Sequence, residues 1–554
     1  MSGRQWHGLR SLLRALIPYA VVVVERHLDC LYILQVERYD PARYARWLGR
    51  HWRVVLDAVE IATQALLAIA ALLLLRAGVH WLVACGLWIA AGHIALARRR
   101  SLQVSQHFQA TSRAVRLACV AFGIGGGLVA GATGVAGAMQ FAPDLLSRLV
   151  VGGILGFALA GLLAPAAVWY AGNLLAPLER SIARRFLQQA DRRMRTFPGR
   201  VIGITGSYGK TSTKLILADL LASRYRVLKT PAGVNTTMGI TRVIREDLRD
   251  EHEYFVVECS AYGPGEIRQV CDIVQPSLGI LTAVGVQHLE RFGTEERIAE
   301  AKYELLAALP AGAPAVVNAD DPMCLKLAER ARAEGKRVLL YGVDESAGPL
   351  AVRGTDVKVS GRGTSFRAMA GSGEAVSFET RLLGRFNLSN ILAGLTAAAE
   401  CGVPLPAMRE AVAGLSPAPR RLEVKEEGGI VKILDVANSN PRGAEMALEV
   451  LAQFEGGSRI LITPGMVELG PIEAEENRRF GEKAAAACDY VVLVGPEQTR
   501  PIREGLTRRG FPADRVLLAR NADEVADRLA GIVRQGDVLL YENRLPDTYL
   551  EVSP

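Results

Sequence analysis

Residues 200–213 read RVIGITGSYGKTST, and no other stretch limits the possible folds of this chain so tightly. The apolar, β-branched run from Val201 to Thr205 predicts a buried strand. The glycines after it predict a tight turn, and Gly209-Lys210-Thr211 opens a helix. A strand, a glycine turn and a helix N-terminus together aim backbone N–H groups at an anion. In such a turn the Lys210 ammonium reaches the β and γ phosphates of a nucleotide, and the Thr211 hydroxyl ligates Mg²⁺. Gly206, Ser207, Gly209 and Ser212 complete the expected phosphate-binding set. The spacing departs from GxxxxGK[ST], because Ile204 stands where the first glycine belongs. A bare GKT triplet is a weak signal; the strand–turn–helix context carries the reading.

The charge of the chain is unevenly divided. Residues 1–198 hold 22 Arg, no Lys and 9 Asp+Glu, a net charge of +13. The whole chain carries +8, so residues 199–554 carry −5. The arginines flank apolar runs, a pattern that suits anionic lipid head groups rather than nucleic acid. Four apolar stretches, about 55–75, 79–97, 117–138 and 149–175, are each long enough to cross a hydrocarbon core. Arg98, Arg99, Arg100, Arg113 and Arg116 follow the second stretch. Arg180, Arg184, Arg185, Arg192, Arg193 and Arg195 follow the fourth. The positive-inside rule then puts both termini on the cytoplasmic side. Pro165 predicts a kink in the last span. Residues 12–24 are apolar but short, hold Arg14 and Pro18, and lack a following A-x-A site. They read as interfacial rather than as a cleaved signal. Gly123, Gly127 and Gly131 repeat every four residues, which predicts close helix–helix packing in lipid.

From residue 199 onward strand-like and helical runs alternate, the pattern of a mostly parallel sheet. Strands are expected at 201–205, 254–258, 278–282, 314–317 and 338–341. Residues 350–383 read as short β segments forming a small insertion, followed by helices near 388–401 and 405–414. SPAPRR at 416–421 reads as a linker. Strands at 430–434, 459–463, 490–494 and 536–540 then predict a second α/β domain. The eight cysteines include no CxxC, which excludes a disulfide framework or a zinc site of the usual spacing. Cys259, beside an acid, reads as a small buried strand residue rather than a nucleophile.

Strand 254–258 ends in Glu258, and an acid at the carboxyl end of a parallel strand near a phosphate loop suits Mg²⁺. After residue 198 the only histidines are His252, in a charged run, and His288, in TAVGVQHLERFG. His288 lies where a ligand site is expected, as a metal ligand or a structural hydrogen-bonding group.

These residues converge on a family. TGSYGKTS resembles the loop of the Mur ligases, which replace the strict P-loop with TGxxGKT. VVECSAYGPGEI, LTAVGVQHLERFG, AKYELL, VVNADDP, LLGRFNLSNILAGLTAAA, RRLEV, LDVANSNP and GMVELG follow in that family's order. The resemblance covers about residues 199–545 and is greatest to the branch that adds D-alanyl-D-alanine to a muramyl peptide. It implies an ATP- and Mg²⁺-dependent ligase of cell-wall precursor synthesis. A substrate carboxylate is activated as an acyl phosphate, and an amine donor then displaces phosphate. By resemblance Lys210, His288 and Lys302 serve catalysis, and Thr211, Glu258, His288 and Lys302 serve the metal. Lys302 matches a lysine carbamylated in several members. Asn318 and Asn387 match adenine-side positions. Arg421 and Asp435 match residues that close on ATP, and Asn235 with Thr236 faces the acceptor.

The apolar stretches and the resemblance together predict an α/β fold behind a helical membrane domain. It comprises an interfacial segment (1–54), four spans (55–178), a basic linker helix (179–198), a P-loop central domain (199–416) and a Rossmann-like C-terminal domain (417–554). The expected setting is the bacterial inner membrane, multi-pass, with the ligase domains in the cytoplasm. The expected partners are a peptide-bearing precursor, an amine donor, the lipid bilayer and other envelope-synthesis proteins. Three positions depart from the family pattern. Phe386 replaces a histidine, Ala437 replaces a tyrosine, and YENRLPDTY at 541–549 replaces a basic KGSR-type ending. Membrane helices also stand in place of the domain that grips the UDP-sugar. A lipid-linked precursor or another envelope polymer is therefore the alternative substrate, and an inactive ATP-binding scaffold the alternative class.

Overall fold

A computed structural model describes residues 18–56, 58–98, 108–140, 144–287, 289–343, 349–437 and 439–544. The chain divides into two compact units, one within residues 1–182 and the other within 183–545.

The first unit is helical: α1 (Pro18–Val36), α2 (Pro41–Val55), α3 (Ala58–Arg76), α4 (Trp81–Arg98), α5 (Ser112–Ala138), α6 (Leu145–Leu162) and the start of α7 (Ala164–Arg195). Among the described residues, α5 and α6 are long and apolar enough to cross a membrane. Ile61–Arg76 and Trp81–Leu96 are shorter apolar helices. Three expectations are corrected. Helix α1 is not a peripheral segment: Tyr19, Val22, Arg26, His27, Cys30 and Leu34 are buried. Two of its polar groups find partners inside the bundle, Tyr19 Oη donating to Gln64 Oε1 at 2.6 Å and Arg26 Nη1 to the Gly161 carbonyl at 3.1 Å. Residues 149–175 are not one kinked span: α6 ends at Leu162, and Pro165 falls in the first turn of α7, where its missing N–H costs nothing. The helix α7 then runs unbroken through the expected linker to Arg195. The close contact of α5 with α6 does not use Gly123, Gly127 or Gly131, around which a Cβ would meet nothing within 4 Å. It uses Gly152 and Gly156 of α6, where a Cβ would stand 2.5 Å from Thr133 Cα and Val129 Cα. Arg99 and Arg100 lie outside the described residues.

In the second unit β1 (Arg200–Thr205), α8 (Lys210–Ala222), β2 (Val227–Lys229), α9 (Thr237–Glu246), β3 (Tyr254–Glu258), α10 (Glu266–Val274) and β4 (Leu278–Leu281) come first. Then follow α11 (Leu289–Phe292), α12 (Glu295–Ala307), β5 (Pro314–Asn318), α13 (Pro322–Ala333) and β6 (Arg337–Gly342). The hairpin strands β7 (Val352–Ser360), β8 (Gly363–Ala370) and β9 (Ala375–Thr380) precede α14 (Gly384–Glu400). All nine strands form one sheet, in the order β2-β3-β1-β4-β5-β6-β7-β8-β9. Residues 350–383 are thus not an insertion; β7 pairs with β6 and continues the sheet. β1 lies between β3 and β4, parallel to both, so the chain order reverses beside it. Open α/β sheets hold ligands at such a reversal, beyond the carboxyl ends of the strands.

A second sheet follows, built from β10 (Glu423–Glu427), β11 (Ile430–Asp435), β12 (Arg459–Thr463), β13 (Tyr490–Val494), β14 (Val516–Ala519) and β15 (Val538–Glu542). Its order is β10-β11-β15-β12-β13-β14, parallel except for the β10 edge. Both sheets are buried on two faces, which is why their central strands read as unbroken apolar runs.

Candidate active site

The phosphate loop leaves β1 at Thr205 and enters α8 at Lys210. Two glycines are required by geometry. Gly206 has φ 150°, and a Cβ there would strike Thr282 Oγ1. Gly209 caps α8 at φ 79°, and a Cβ would strike Asn390 Oδ1. Ser207 is tied to the neighbouring loop, its Oγ donating to the Gly285 carbonyl at 2.9 Å and accepting from Gly285 N at 3.1 Å. Ser212 is buried in the first turn of α8. Lys210 curls back across the loop and donates to the carbonyls of Gly206 (2.8 Å) and Ser207 (3.1 Å). Burial lowers its ammonium to about 8, with Glu258 opposing and Arg421 reinforcing the shift. A half-buried cation over a helix N-terminus fits a nucleotide phosphate.

Glu258, 1% exposed at the end of β3, is the centre of the site. Its Oε2 accepts from Lys214 Nζ at 2.9 Å and Thr211 Oγ1 at 3.1 Å, and its Oε1 from Asn235 Nδ2 at 3.1 Å. Burial pushes this carboxyl up. The Lys214 and Lys210 charges and the two amine and amide hydrogen bonds outweigh that push and hold it below its ordinary value. An ionised acid beside a threonine hydroxyl at a phosphate loop is a donor set that fits Mg²⁺. Thr236 caps α9, accepting from Gly239 N at 3.3 Å. Lys302, on α12, is 3% exposed, and its ammonium lies 5.9 Å from the Phe292 ring centroid. Burial, with the Lys210 charge, lowers it to about 7 against Glu304 and Glu266. His288 lies outside the described residues. Cys259 is fully buried, as expected of a strand-end packing residue.

On the other side of the loop, Asn318 at the end of β5 donates to the Thr282 carbonyl at 2.8 Å. Asn387 caps back within α14, donating to the Leu383 carbonyl at 2.9 Å. Asn390, one turn further along, accepts from Thr213 Oγ1 at 3.2 Å, while its buried Nδ2 has no partner among the described residues. That orphan donor beside Gly209 is a second mark of a ligand site. Asp321 caps α13 through Met323 N and Cys324 N, and also accepts from Val284 N at 3.0 Å, fixing the loop after β4.

The carboxyl edge of the second sheet contributes Arg421, whose charge acts on both Lys210 and Asp435. Asp435 ends β11; burial raises it to about 6 against Arg421 and a backbone N–H. Glu542, its register neighbour at the end of β15, accepts from Thr463 Oγ1 at 2.6 Å and from Ser439 Oγ. Burial pushes it up to about 7; those hydrogen bonds oppose the push and the Asp435 charge adds to it. At the junction of the sheets Arg291 pairs with Glu468 at 2.8 Å, and Glu290 N donates to the Glu468 carbonyl at 3.1 Å. Lys214, Asn390, Glu468 and Glu542 were not singled out from sequence. Lys214 had a signal, standing four residues after Lys210 and so on the same helix face. Asn390 had a similar one, three residues after Asn387.

Residues 204–398 match the family described as Mur ligase middle domain, and residues 420–541 the one described as Mur ligase, glutamate ligase domain. A UDP-N-acetylmuramoyl-tripeptide–D-alanyl-D-alanine ligase of Synechocystis is 30% identical over 286 residues, covering 52% of this chain and 59% of that protein. One of Mycobacterium tuberculosis is 32% identical over 352 residues, covering 61% and 66%. The chain thus spans between about six tenths and two thirds of these relatives' lengths. Among solved structures, MurF ligase from Thermotoga maritima in complex with ADP has a TM-score of 0.58 at 28% identity, covering 65% of this chain and 80% of that one. MurF from Acinetobacter baumannii shares the fold, with a TM-score of 0.59 at 24% identity over 66% and 78% of the two chains.

Proposed function

This chain belongs to the Mur ligase family, and from that premise we propose that it is an ATP- and Mg²⁺-dependent carboxylate–amine ligase of peptidoglycan synthesis. We propose as its reaction the addition of D-alanyl-D-alanine to a muramyl tripeptide, the activity for which its relatives are named. The observation that carries the reading is the convergence of Lys210, Thr211, Glu258 and Asn235 beside the phosphate loop.

The chemistry follows from these groups. The acceptor carboxylate attacks the γ phosphorus of ATP, giving an acyl phosphate and ADP; the donor amine then attacks the acyl carbon and expels phosphate. Lys210 and the loop amides offset charge on the phosphoryl oxygens. Thr211 and Glu258 would hold the magnesium, which supplies charge neutralisation. Lys302, lowered to about 7, has a neutral fraction at physiological pH, the form an amine must take to become a carbamate. His288 is assigned to the metal by resemblance. Asn318 and Asn387 would bind the adenine side, Arg421 and Asp435 the nucleotide from the second sheet, and Asn235 with Thr236 the acceptor. Bringing the second sheet over the first would keep water from the acyl phosphate.

We further propose that the helical unit is a membrane anchor with the ligase unit on the cytoplasmic face. The apolar helices α5 and α6 and the arginine-rich flanks support this. Because helices precede the family match where a UDP-gripping domain is expected, a lipid-linked acceptor is the second reading. The test is phosphate release by the purified full chain with ATP, D-alanyl-D-alanine and either acceptor. Dipeptide-dependent release with UDP-muramyl-tripeptide supports the first reading. Release only with the lipid-linked peptide selects the second, and release with neither rejects both.

A further inference from the structure

Lys214 is fully buried, yet it lies outside the phosphate loop and has no part in the reaction described above. Its ammonium makes two contacts: Glu258 Oε2 at 2.9 Å and the Pro231 carbonyl at 3.1 Å. Pro231 lies in the segment 230–235, which leads to the acceptor-facing Asn235 and grips Glu258 at two further points. Asn235 Nδ2 donates to Oε1 at 3.1 Å, and Glu258 N donates to Thr230 Oγ1 at 3.3 Å. One buried cation therefore joins three elements: helix α8, the end of β3 and the segment 230–235. A lysine buried in this way is costly unless its geometry is held by other bonds, and here the carbonyl supplies the second bond.

We infer that Lys214 is a positioning residue of the metal site, locking the Glu258 carboxylate so that Oε1 is the oxygen offered to a divalent cation, with Asn235 covering that oxygen until the acceptor loop moves. The two oxygens have different fates. Oε2 is held by Lys214 and by the Thr211 hydroxyl, neither of which belongs to the acceptor loop. Oε1 is held only by a side chain of the acceptor-facing loop. Acceptor binding that draws Asn235 away would uncover a metal ligand, so loading of metal and of acceptor are linked.

This inference rests on the reading of Glu258 as a metal ligand. The experiment is Mn²⁺ binding, followed by electron paramagnetic resonance, to the full chain in detergent with a non-hydrolysable ATP analogue. Glu258→Gln is the control for the reading itself. If it binds Mn²⁺ as the parent does, the metal site and this inference both fall. If it loses binding, the Lys214 role is read from Lys214→Met. Loss of a partner that orients a metal ligand weakens affinity about 10- to 100-fold. The decisive comparison is Lys214→Arg, which keeps a cation beside Glu258 but does not place a single ammonium between Oε2 and the Pro231 carbonyl. A positioning role predicts that Lys214→Arg also binds Mn²⁺ more weakly than the parent. A lysine that merely compensates charge predicts parent-like binding by Lys214→Arg, and that result overturns the proposal. Asn235→Ala, on the loop, is the second variant. It is expected to bind Mn²⁺ several-fold more tightly without acceptor, and unchanged or weaker binding overturns the gating by Asn235.

Discussion

The two sheets of the ligase unit carry acids in equivalent places, and the acids behave oppositely. Glu258 ends β3 of the first sheet with a buried lysine on one oxygen, and it is held ionised. Asp435 and Glu542 end adjacent strands of the second sheet, where the partners of Glu542 are two hydroxyls, and both carboxyls are pushed up, to about 6 and about 7. Backbone position alone does not set the charge of a strand-end acid. The difference is whether a cation is buried with it. In the proposed reaction the first sheet meets phosphate and metal, which demand fixed charge. The second holds protons that leave near neutrality.

The comparison breaks first at the cation over the loop. Lys210→Ala should lower the rate of ADP release by about 10²-fold or more, as expected when charge stabilisation of a transition state is removed. A rate within a few-fold of the parent would deny the first sheet its role. Next in size is Glu258→Gln, which strands Lys214 as a buried unpaired charge and should cost about 3–5 kcal/mol in denaturant unfolding. Glu542→Gln should act in the opposite direction. A carboxyl raised in the folded state contributes stability that is full below its unfolded value of about 4 and is lost as pH rises through about 7. Removing it should therefore stabilise the protein above about pH 7, by on the order of 2 kcal/mol, and the gain should shrink toward about pH 4. Thermal unfolding across that range checks the sign. Glu258 has a lowered value, so its contribution is present at neutral pH and lost as pH falls. The smallest effect is expected at the junction. Arg291→Ala removes a partly exposed ion pair and should cost about 1 kcal/mol or less in the same unfolding measurement.

How far the sequence could be read follows the same physics. β1, β3, β4, β12 and β13 were legible because strands buried on both faces are continuous apolar runs. β2 has only three residues, and β10 reads EVKEE, four of its five residues charged, on an open edge, so neither carries that signal. Glu258 could be placed from its strand position alone. Its partner Lys214 lies 44 residues away and Asn235 lies 23 away, and no local pattern encodes such a pairing. In the helical unit the reading of charge misled. Arg14 and Pro18 made residues 12–24 read as interfacial, but Pro18, Tyr19, Val22 and Val23 are buried. The glycine repeat misled for a related reason. Spacing shows which glycines share a face, but only the neighbouring helix decides which face is covered.

Ile204, in the place of a phosphate-loop glycine, sits fully buried between Glu258 of β3 and Ile280 of β4. Here the residue is a piece of core as well as a departure from a motif. Changing it to glycine would empty that space and cost about 3–5 kcal/mol, without lengthening the turn that begins at Gly206. The identity of the residue at this position is therefore set by the core beneath the loop as much as by whatever the loop holds above it.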